Sequence, residues 1–338
     1  MLYYMRTSVA HYDSGVNGCI AMKSLVTRFR AYQLGCTGSS FSYFAAGRFT
    51  LIEARLNDTN FASVAQEMAV CGVETAHCLH ITSWDSDHCS LSELPVLLKT
   101  IRPSKIECPG YEPSSDRGND CRKLIQEYES RARASNRSVD VRYFTPEYIS
   151  CLATAEQLAF QNVLYNPRWI DEACVNNNST VELFREGSFN ILSLGDVESL
   201  DISSRLRRDK YLGREVDVMI LAHHGADNGF TNKRFLQHLQ PHLAICSSNY
   251  DNQYQHPSDD IRELLAEHRV QLMTTKTGDI VVQSIGDHAG RFRATNLCAD
   301  STRISSQYEF VSKKATLLSY NQDTIRQLYT RRPAYRNL

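Results

Sequence analysis

The sequence predicts an α/β fold, and three observations carry that expectation. Short apolar or β-branched runs alternate with turn signals and with segments of helical spacing. The 338 residues are enough for one large α/β domain or two ordinary ones, with a sizeable core. Clusters rich in Asp and His follow several of the apolar runs, where open sheets present their chemistry.

Taken in chain order, "LYYMRTSVAHYD" reads as a strand, and "GCIAMKSLVTRF" as a second strand or a short helix. "FTLIEAR" is strand-like. "NFASVAQEMAVCG" has helical spacing, with Asn60 as the cap and Gly72 at its end. "TAHCLHITS" is a short buried strand, "SLSELPVLLKTI" a helix, and "SKIECPGYEP" a strand and turn. Residues 114–140 are polar and helical in the middle. "SFNILSLGD" is a strand ending at Gly195 and Asp196, and "VDVMILAHHG" one ending at His223 and His224. "FTNKRFLQHLQ" is a helix and "PHLAICSSN" a strand. "PSDDIRELLAEH" is a helix with Pro257 near its start and Ser258 as its cap. "GDIVVQSIG" and "RFRATNL" close the pattern as a hairpin.

Composition narrows the function classes. A formal net charge of −1 gives no global basic field of the kind that marks many nucleic-acid binders. Charge is uneven, however. Residues 301–338 carry seven Lys or Arg against Glu309 and Asp323, a basic tail that attracts phosphates or is simply solvated surface. Eleven scattered cysteines without a CxxC pair, and an opening without a long apolar run, point to reduced thiols and a cytoplasmic setting. No apolar run approaches the roughly 18–20 residues needed to span a bilayer, so no membrane partner is expected.

Four polar clusters follow predicted strands: Asp85-Ser86-Asp87-His88, Asp196, His223-His224, and Asn249 through His256-Pro257. Singly each is weak, since a lone Gly-Asp is usually a turn, and the first cluster also reads as a polar turn capping a helix that starts near Ser90. Together they fit a metal site. Carboxylate oxygens with imidazole nitrogens suit Zn, Mn or Fe, and a carboxylate can bridge two ions. His77 and His80 read as satisfied core or surface histidines, and His11 as a residue at the edge of the cleft or outside it. Cys89 reads as a buried thiol and not as a nucleophile. Trp84 either lines the pocket or packs in the core, and Tyr250 and Tyr254 face substrate from the loop before His256.

These motifs resemble the metallo-β-lactamase superfamily, and within it the hydrolase domain of the competence DNA-uptake protein ComEC and its stand-alone relatives. "HYDSGVNGCI" and "FTLIEAR" fall where that group has its first turn and its Leu-Ile-Asp-Ala-Gly. "TSWDSDH" resembles Thr-His-x-Asp-x-Asp-His, and "LSLGDVE" resembles Leu-Thr-Gly-Asp-x-Glu. "VMILAHHGADNGFT" resembles the strand with His-His-Gly-Ser, and "ICSSNYDNQYQHPSDDIRELL" the segment with His-Pro before the last helix. The likeness covers roughly residues 5–285. It implies a four-layer αββα sandwich over residues 1–298, with residues 299–338 as a basic extension packed on the same domain.

Carried over by position, the resemblance implies Asp85, Asp87, His88, Asp196 and His224 as metal ligands, with Asp196 as the bridge. It implies Asp85 or Asp87 orienting or deprotonating water. His223 and His256, if protonated, would neutralise charge on the phosphoryl oxygens. Position in the motif assigns the ligand to His224; strand alternation adds only that His223 and His224 would point oppositely. Ser83 stands at the first metal-binding His, Glu53 replaces the usual Asp, and no histidine lies between His88 and His223. One tight divalent metal site, Zn or Mn, is therefore expected, with a second and weaker oxygen-rich one. The implied function is metal-dependent phosphodiester hydrolysis, a nuclease acting on DNA. A small-ester or cyclic-nucleotide phosphodiesterase is the alternative within enzymology. The rival class is a catalytically weak metal-binding module that docks a partner protein. A nucleic-acid or nucleotide substrate is the expected partner, and a protein partner and homo-oligomerisation stay open.

Overall fold

The apolar runs pair into two sheets. In the computed structural model, which describes residues 26–152, 162–286, 290–299 and 301–315, the first sheet has nine strands. They are β1 (Arg28–Ala31), β2 (Phe41–Ala45), β3 (Arg48–Ile52), β4 (Cys78–His80), β5 (Lys105–Pro109), β6 (Asp140–Phe144), β13 (Ile280–Ile285), β14 (Arg291–Leu297) and β15 (Ile304–Val311). Their order is β15-β14-β13-β1-β2-β3-β4-β5-β6. The second sheet holds β7 (Val163–Asn166), β8 (Val181–Phe184), β9 (Ile191–Ser193), β10 (Val218–Ile220), β11 (Leu243–Cys246) and β12 (Gln271–Thr274), in the order β12-β11-β10-β9-β8-β7. Strands β3 to β6 run parallel, as do β9 to β12.

Parallel neighbours need crossovers, and helices supply them. α1 (Phe61–Val70), α2 (Leu94–Ile101) and α3 (Asp116–Ala134) link the parallel strands of the first sheet, and α4 (Pro146–Cys151) follows β6. α5 (Leu200–Leu206), α6 (Lys210–Glu215), α7 (Lys233–Leu239) and α8 (Asp259–Glu267) do the same in the second sheet. The period of two along each strand then separates three apolar layers. Val218 and Ile220 of β10 enter the layer between the sheets with Phe29, Phe41, Phe184, Ile245 and Phe292. Met219 points the other way, to Leu206, Phe235, Leu239 and Leu265 of the helices. On the far side, Leu51, Leu79 and Ile106 pack against Val64, Leu97, Ile101 and Ile125 of α1, α2 and α3. The layers are helix, sheet, sheet, helix: the αββα sandwich expected from the motifs.

Local chemistry explains most helix boundaries. Ser115, Thr145, Ser199, Asp209, Asn232 and Ser258 each cap a helix by accepting a backbone N–H within the first turn. Asn60 precedes α1 as expected but does not cap it; its Oδ1 accepts the Asn57 N–H at 2.8 Å. The helix expected near Ser90 begins at Leu94, because Ser90 to Glu93 first form a turn with the Glu93 and Leu94 N–H groups donating to Ser90 O. The first predicted strand and His11 lie outside the described residues, as does the tail beyond 315. β13 and β14 form the expected hairpin, and β15 adds to its edge.

The end of β15 is tied to the second sheet by a fully buried carboxylate. Asp217 Oδ2 accepts Asn190 N at 2.9 Å and Ser312 Oγ at 2.9 Å, and Oδ1 accepts Lys313 N at 2.8 Å. Asp217→Ala leaves two buried donors and one half-buried donor without an acceptor. It should cost roughly 3 kcal/mol of unfolding free energy, read as a lower urea midpoint, whereas an unchanged midpoint would show that this tie contributes nothing.

Candidate metal centre

Loops at the carboxyl ends of β3, β4, β9, β10 and β11 converge where the two sheets meet along one edge. From the first sheet, the loop after β4 carries Asp85, Asp87 and His88. It is stitched to the neighbouring loops by Ala54 N donating to His88 O at 2.7 Å and Ser39 N donating to Asp87 O at 3.0 Å. A Cβ on Gly38 would sit 2.6 Å from that Asp87 carbonyl, so this approach requires glycine. From the second sheet, Gly195 turns the chain at φ +54 and presents Asp196 after β9. The segment after β10 is not the strand that alternation assumed. Ala222–Gly225 is a tight turn in which both His223 (φ 43) and His224 (φ 53) are left-handed. Glu53 is left-handed too, at φ 70, and non-glycine residues in that region cluster at functional sites.

Asp87, His88, Asp196 and His224 each bring one ligand-type atom to within 4.8 Å of the others'. His88 Nε2 lies 2.9 Å from Asp196 Oδ2, and His224 Nε2 lies 3.4 Å from Asp87 Oδ2 and 4.0 Å from Asp196 Oδ1. His88 and Asp196 are buried, while the Asp87 side chain is one-third exposed, so the cluster opens to solvent at Asp87. Each imidazole has its other nitrogen engaged. His224 Nδ1 donates to the Ser247 carbonyl at 2.9 Å, and His88 Nδ1 lies 3.0 Å from Glu53 Oε1. Glu53 is fixed in turn by Thr82, whose N–H and Oγ1 both donate to it. Both Nε2 atoms are buried and make no hydrogen bond. Imidazoles oriented at Nδ1 with Nε2 turned toward carboxylates are what a metal ligand set needs.

The electrostatics agree with that geometry. Burial alone would depress the His88 pKa, but Asp196, Glu53 and Asp87 together raise it well above the ordinary value. His224 is raised in the same way, against burial, by Asp196 and Asp87. Burial would lift the two carboxyls, yet His88 and His224 hold both Asp87 and Asp196 below the usual range. The cluster therefore favours positive charge among its ligand atoms.

The structure brings together four of the five residues implied as ligands. Asp85 stands outside the four-residue group. Ser83 Oγ donates to Asp85 Oδ2 at 3.0 Å and also meets the Tyr111 hydroxyl at 3.0 Å. Trp84 is locked behind this loop by Tyr111 and is buried in the core, not set at the pocket. His223 is not in the ligand group; its Nδ1 lies 2.6 Å from Glu198 Oε1, and its ring stands 6.3 Å from that of His224. Glu198 also accepts from Asn176 Nδ2 at 2.7 Å. The His256 ring lies parallel to His224 at 6.5 Å and carries Tyr254 stacked at 5.6 Å. Burial and the His224 and His223 imidazoles lower the His256 pKa to about 4. His256 is therefore neutral near neutral pH, not the countercharge expected if it were protonated. Tyr250 and Tyr254 are the exposed aromatics of that loop. The sequence marks Glu53 only as a replacement for the usual Asp and gives Glu198 no role, although "LIEAR" and "LGDVE" hold them in the motifs themselves.

Two facing sheets between helical layers, with a His/Asp cluster at the edge they share, define a protein of the metallo-β-lactamase fold whose cluster supports a divalent metal. Over 227 residues, 65% of this chain, the sequence is 25% identical to ComE operon protein 3 of Bacillus subtilis (strain 168). A 101-residue stretch, 30% of the chain, is 31% identical to Competence protein ComA of Neisseria gonorrhoeae. The matches cover 26% and 14% of those two proteins, so the chain corresponds to about a quarter of the first and less of the second. Among solved structures, the metallo-beta-lactamase fold protein YhfI from Bacillus subtilis aligns with a TM-score of 0.45 and 11% identity over 76% of this chain and 100% of that one. Igni18, a metallo hydrolase from Ignicoccus hospitalis, aligns with a TM-score of 0.46 and 11% identity over 75% and 98%. No protein-family model matches the chain. Among the described residues no helix is long and apolar enough to cross a membrane.

A Cβ on Gly195 would lie 2.8 Å from Ser179 Cβ, in a backbone conformation that L residues resist. Gly195→Ala should therefore cost about 1–3 kcal/mol and displace Asp196. Thermal melts alongside a zinc titration would read both losses, and wild-type values in each would refute the constraint.

Proposed function

We propose that the protein is a metal-dependent phosphodiesterase that cleaves DNA, with Asp87, His88, Asp196 and His224 holding one divalent cation. The observation that carries this reading is the pair of buried Nε2 atoms, on His88 and His224, set among two carboxylates without hydrogen bonds. Two nitrogens and two oxygens suit Zn or Mn. A cation held there supplies Lewis acidity and a water that ionises near neutral pH.

The chain's own residues do the rest. Asp87, the most exposed of the four, is placed to orient an incoming water and take its proton. His223, braced by Glu198, and His256, backed by Tyr254, stand beside the ligand group and hydrogen-bond the phosphoryl oxygens and the leaving group. Exposed Tyr250 and Tyr254 offer faces on which a base can stack. The likeness to ComE operon protein 3 and Competence protein ComA supports DNA over a small ester. The Ser83–Asp85–Tyr111 hydrogen bonds occupy the groups a second cation would use, which favours one ion at this site.

Asp196→Asn and Asp87→Ala should abolish Mn²⁺- or Zn²⁺-dependent turnover of both a plasmid and bis(p-nitrophenyl) phosphate while far-UV circular dichroism stays unchanged. Full activity in Asp196→Asn would overturn the reading, and turnover of the small ester alone would move the substrate away from DNA. Glu53→Gln should weaken metal binding by about 10–100-fold by calorimetry. Because the His88 and His224 pKa values lie above the ordinary value of about 6.5, protons compete with the cation there. Metal affinity should rise as pH increases above about 6.5, with proton release in buffers of different ionisation enthalpy; a flat profile would contradict this ligand set.

A further inference from the structure

A second group of ligand-type side chains lies between the sheets, away from the edge cluster. His80 of β4 and Glu107 of β5 are partners in register on adjacent parallel strands. Leu79 and Ile106 face the helices, so the alternation sends His80 and Glu107 inward. Glu182 of β8 reaches them from the opposite sheet, between Val181 and Leu183, which face outward. The three are buried, with His80 fully so and Glu182 only 3% exposed. One ligand-type atom from each lies within 4.8 Å of the others'.

The hydrogen-bond arithmetic leaves this group incomplete. His80 Nδ1 lies 3.0 Å from Glu107 Oε2 and 3.2 Å from Glu182 Oε2. One N–H cannot serve two acceptors well, and it is used on Glu107. Glu182 Oε2 is left with no hydrogen bond, though it is buried and aimed at the same point. Lys105 pairs with the other Glu107 oxygen and reaches Glu182 through its charge alone, without a hydrogen bond to Oε2. Two buried carboxylates from facing sheets are expensive to hold together unless positive charge lies between them. Beside them a cavity of about 200 Å³, lined by His77, Cys78, Lys105, Glu107, Glu182 and Glu186 among others, gives an ion a way in and room for water.

We propose that His80, Glu107 and Glu182 form a second site for a divalent transition ion of the Zn²⁺ or Mn²⁺ class, independent of the edge cluster. One imidazole and two carboxylates match the charge of such an ion and leave a coordination position on the cavity side for water. The ion ties β4 and β5 to β8 and joins the sheets at a place where apolar packing is interrupted. This site stands or falls separately from the hydrolase reading.

The test is metal stoichiometry with Zn²⁺ or Mn²⁺ alone as the probe. The full chain should bind two ions by calorimetry and elemental analysis. Asp87→Ala/His224→Ala should keep one, and X-ray absorption of its bound zinc should show a single imidazole and an oxygen-rich shell. Glu182→Gln, which preserves volume, should also bind one ion. The same exchange in the Asp87→Ala/His224→Ala chain should leave none. If Glu182→Gln fails to give a wild-type circular dichroism spectrum, the Asp87→Ala/His224→Ala chain alone decides, since it leaves the inner group untouched. The proposal is overturned if that chain binds no ion, if its bound zinc has two or more imidazoles, or if a folded Glu182→Gln binds as many ions as the unaltered protein.

Discussion

His88 and Asp196 meet at 2.9 Å across the junction of the two sheets, and the arrangement of the site follows from that contact. One residue comes from the loop after β4, the other from the loop after β9. They meet only because the inner faces of both sheets are apolar enough to close on each other through Phe29, Phe41, Phe184 and Ile245. A buried imidazole and a buried carboxylate would each be costly alone. Together, with Glu53 behind the imidazole and His224 beside the carboxylate, they form a polar group at the margin of a dry core.

That margin is also where the backbone departs from ordinary conformations. Glu53, His223 and His224 are all left-handed, and Gly195 lies between them in the sequence as the turn that exposes Asp196. Strain at three non-glycine positions costs free energy. The two sheets, each closed against its own helical layer, hold the loops in place despite it. The outer layers thus act on the site indirectly: they fix where each strand ends, and the strand ends fix the ligand atoms.

The same layering explains why a few polar residues point into the interior. An inward position on a strand normally takes Phe, Val or Ile, as on β1 and β10. Where β4, β5 and β8 place His80, Glu107 and Glu182 inward instead, His80 hydrogen-bonds Glu107 within its own sheet and faces Glu182 of the other sheet as a charge partner. From sequence, His80 read as a satisfied core or surface histidine; it is buried with Nδ1 on Glu107, but its Nε2 is buried without a hydrogen-bond partner. What the linear pattern hid was Glu182, over a hundred residues away and on the other sheet, whose second oxygen has no donor.

The sequence by itself determined the alternation of strands and helices, the two-sheet architecture implied by its motifs, and the residue types at each strand end. The alternation depends on local pattern: period two in strands, 3.6 in helices, caps and glycine turns. The two-sheet architecture came only with the motifs' resemblance to a known superfamily. The polar clusters after apolar runs stand out without any geometry, and the motifs' resemblance to the metallo-β-lactamase superfamily implied Asp87, His88, Asp196 and His224 as ligands, together with Asp85. Only the tertiary structure decided that Asp85 is held by Ser83 apart from the four, that His223 turns to Glu198, and that Glu53 braces His88. The two adjacent histidines could not be assigned by strand alternation, because a left-handed turn replaces the strand there. Contacts between residues far apart in the chain are set by how sheets pack and loops bend, and no local pattern records that.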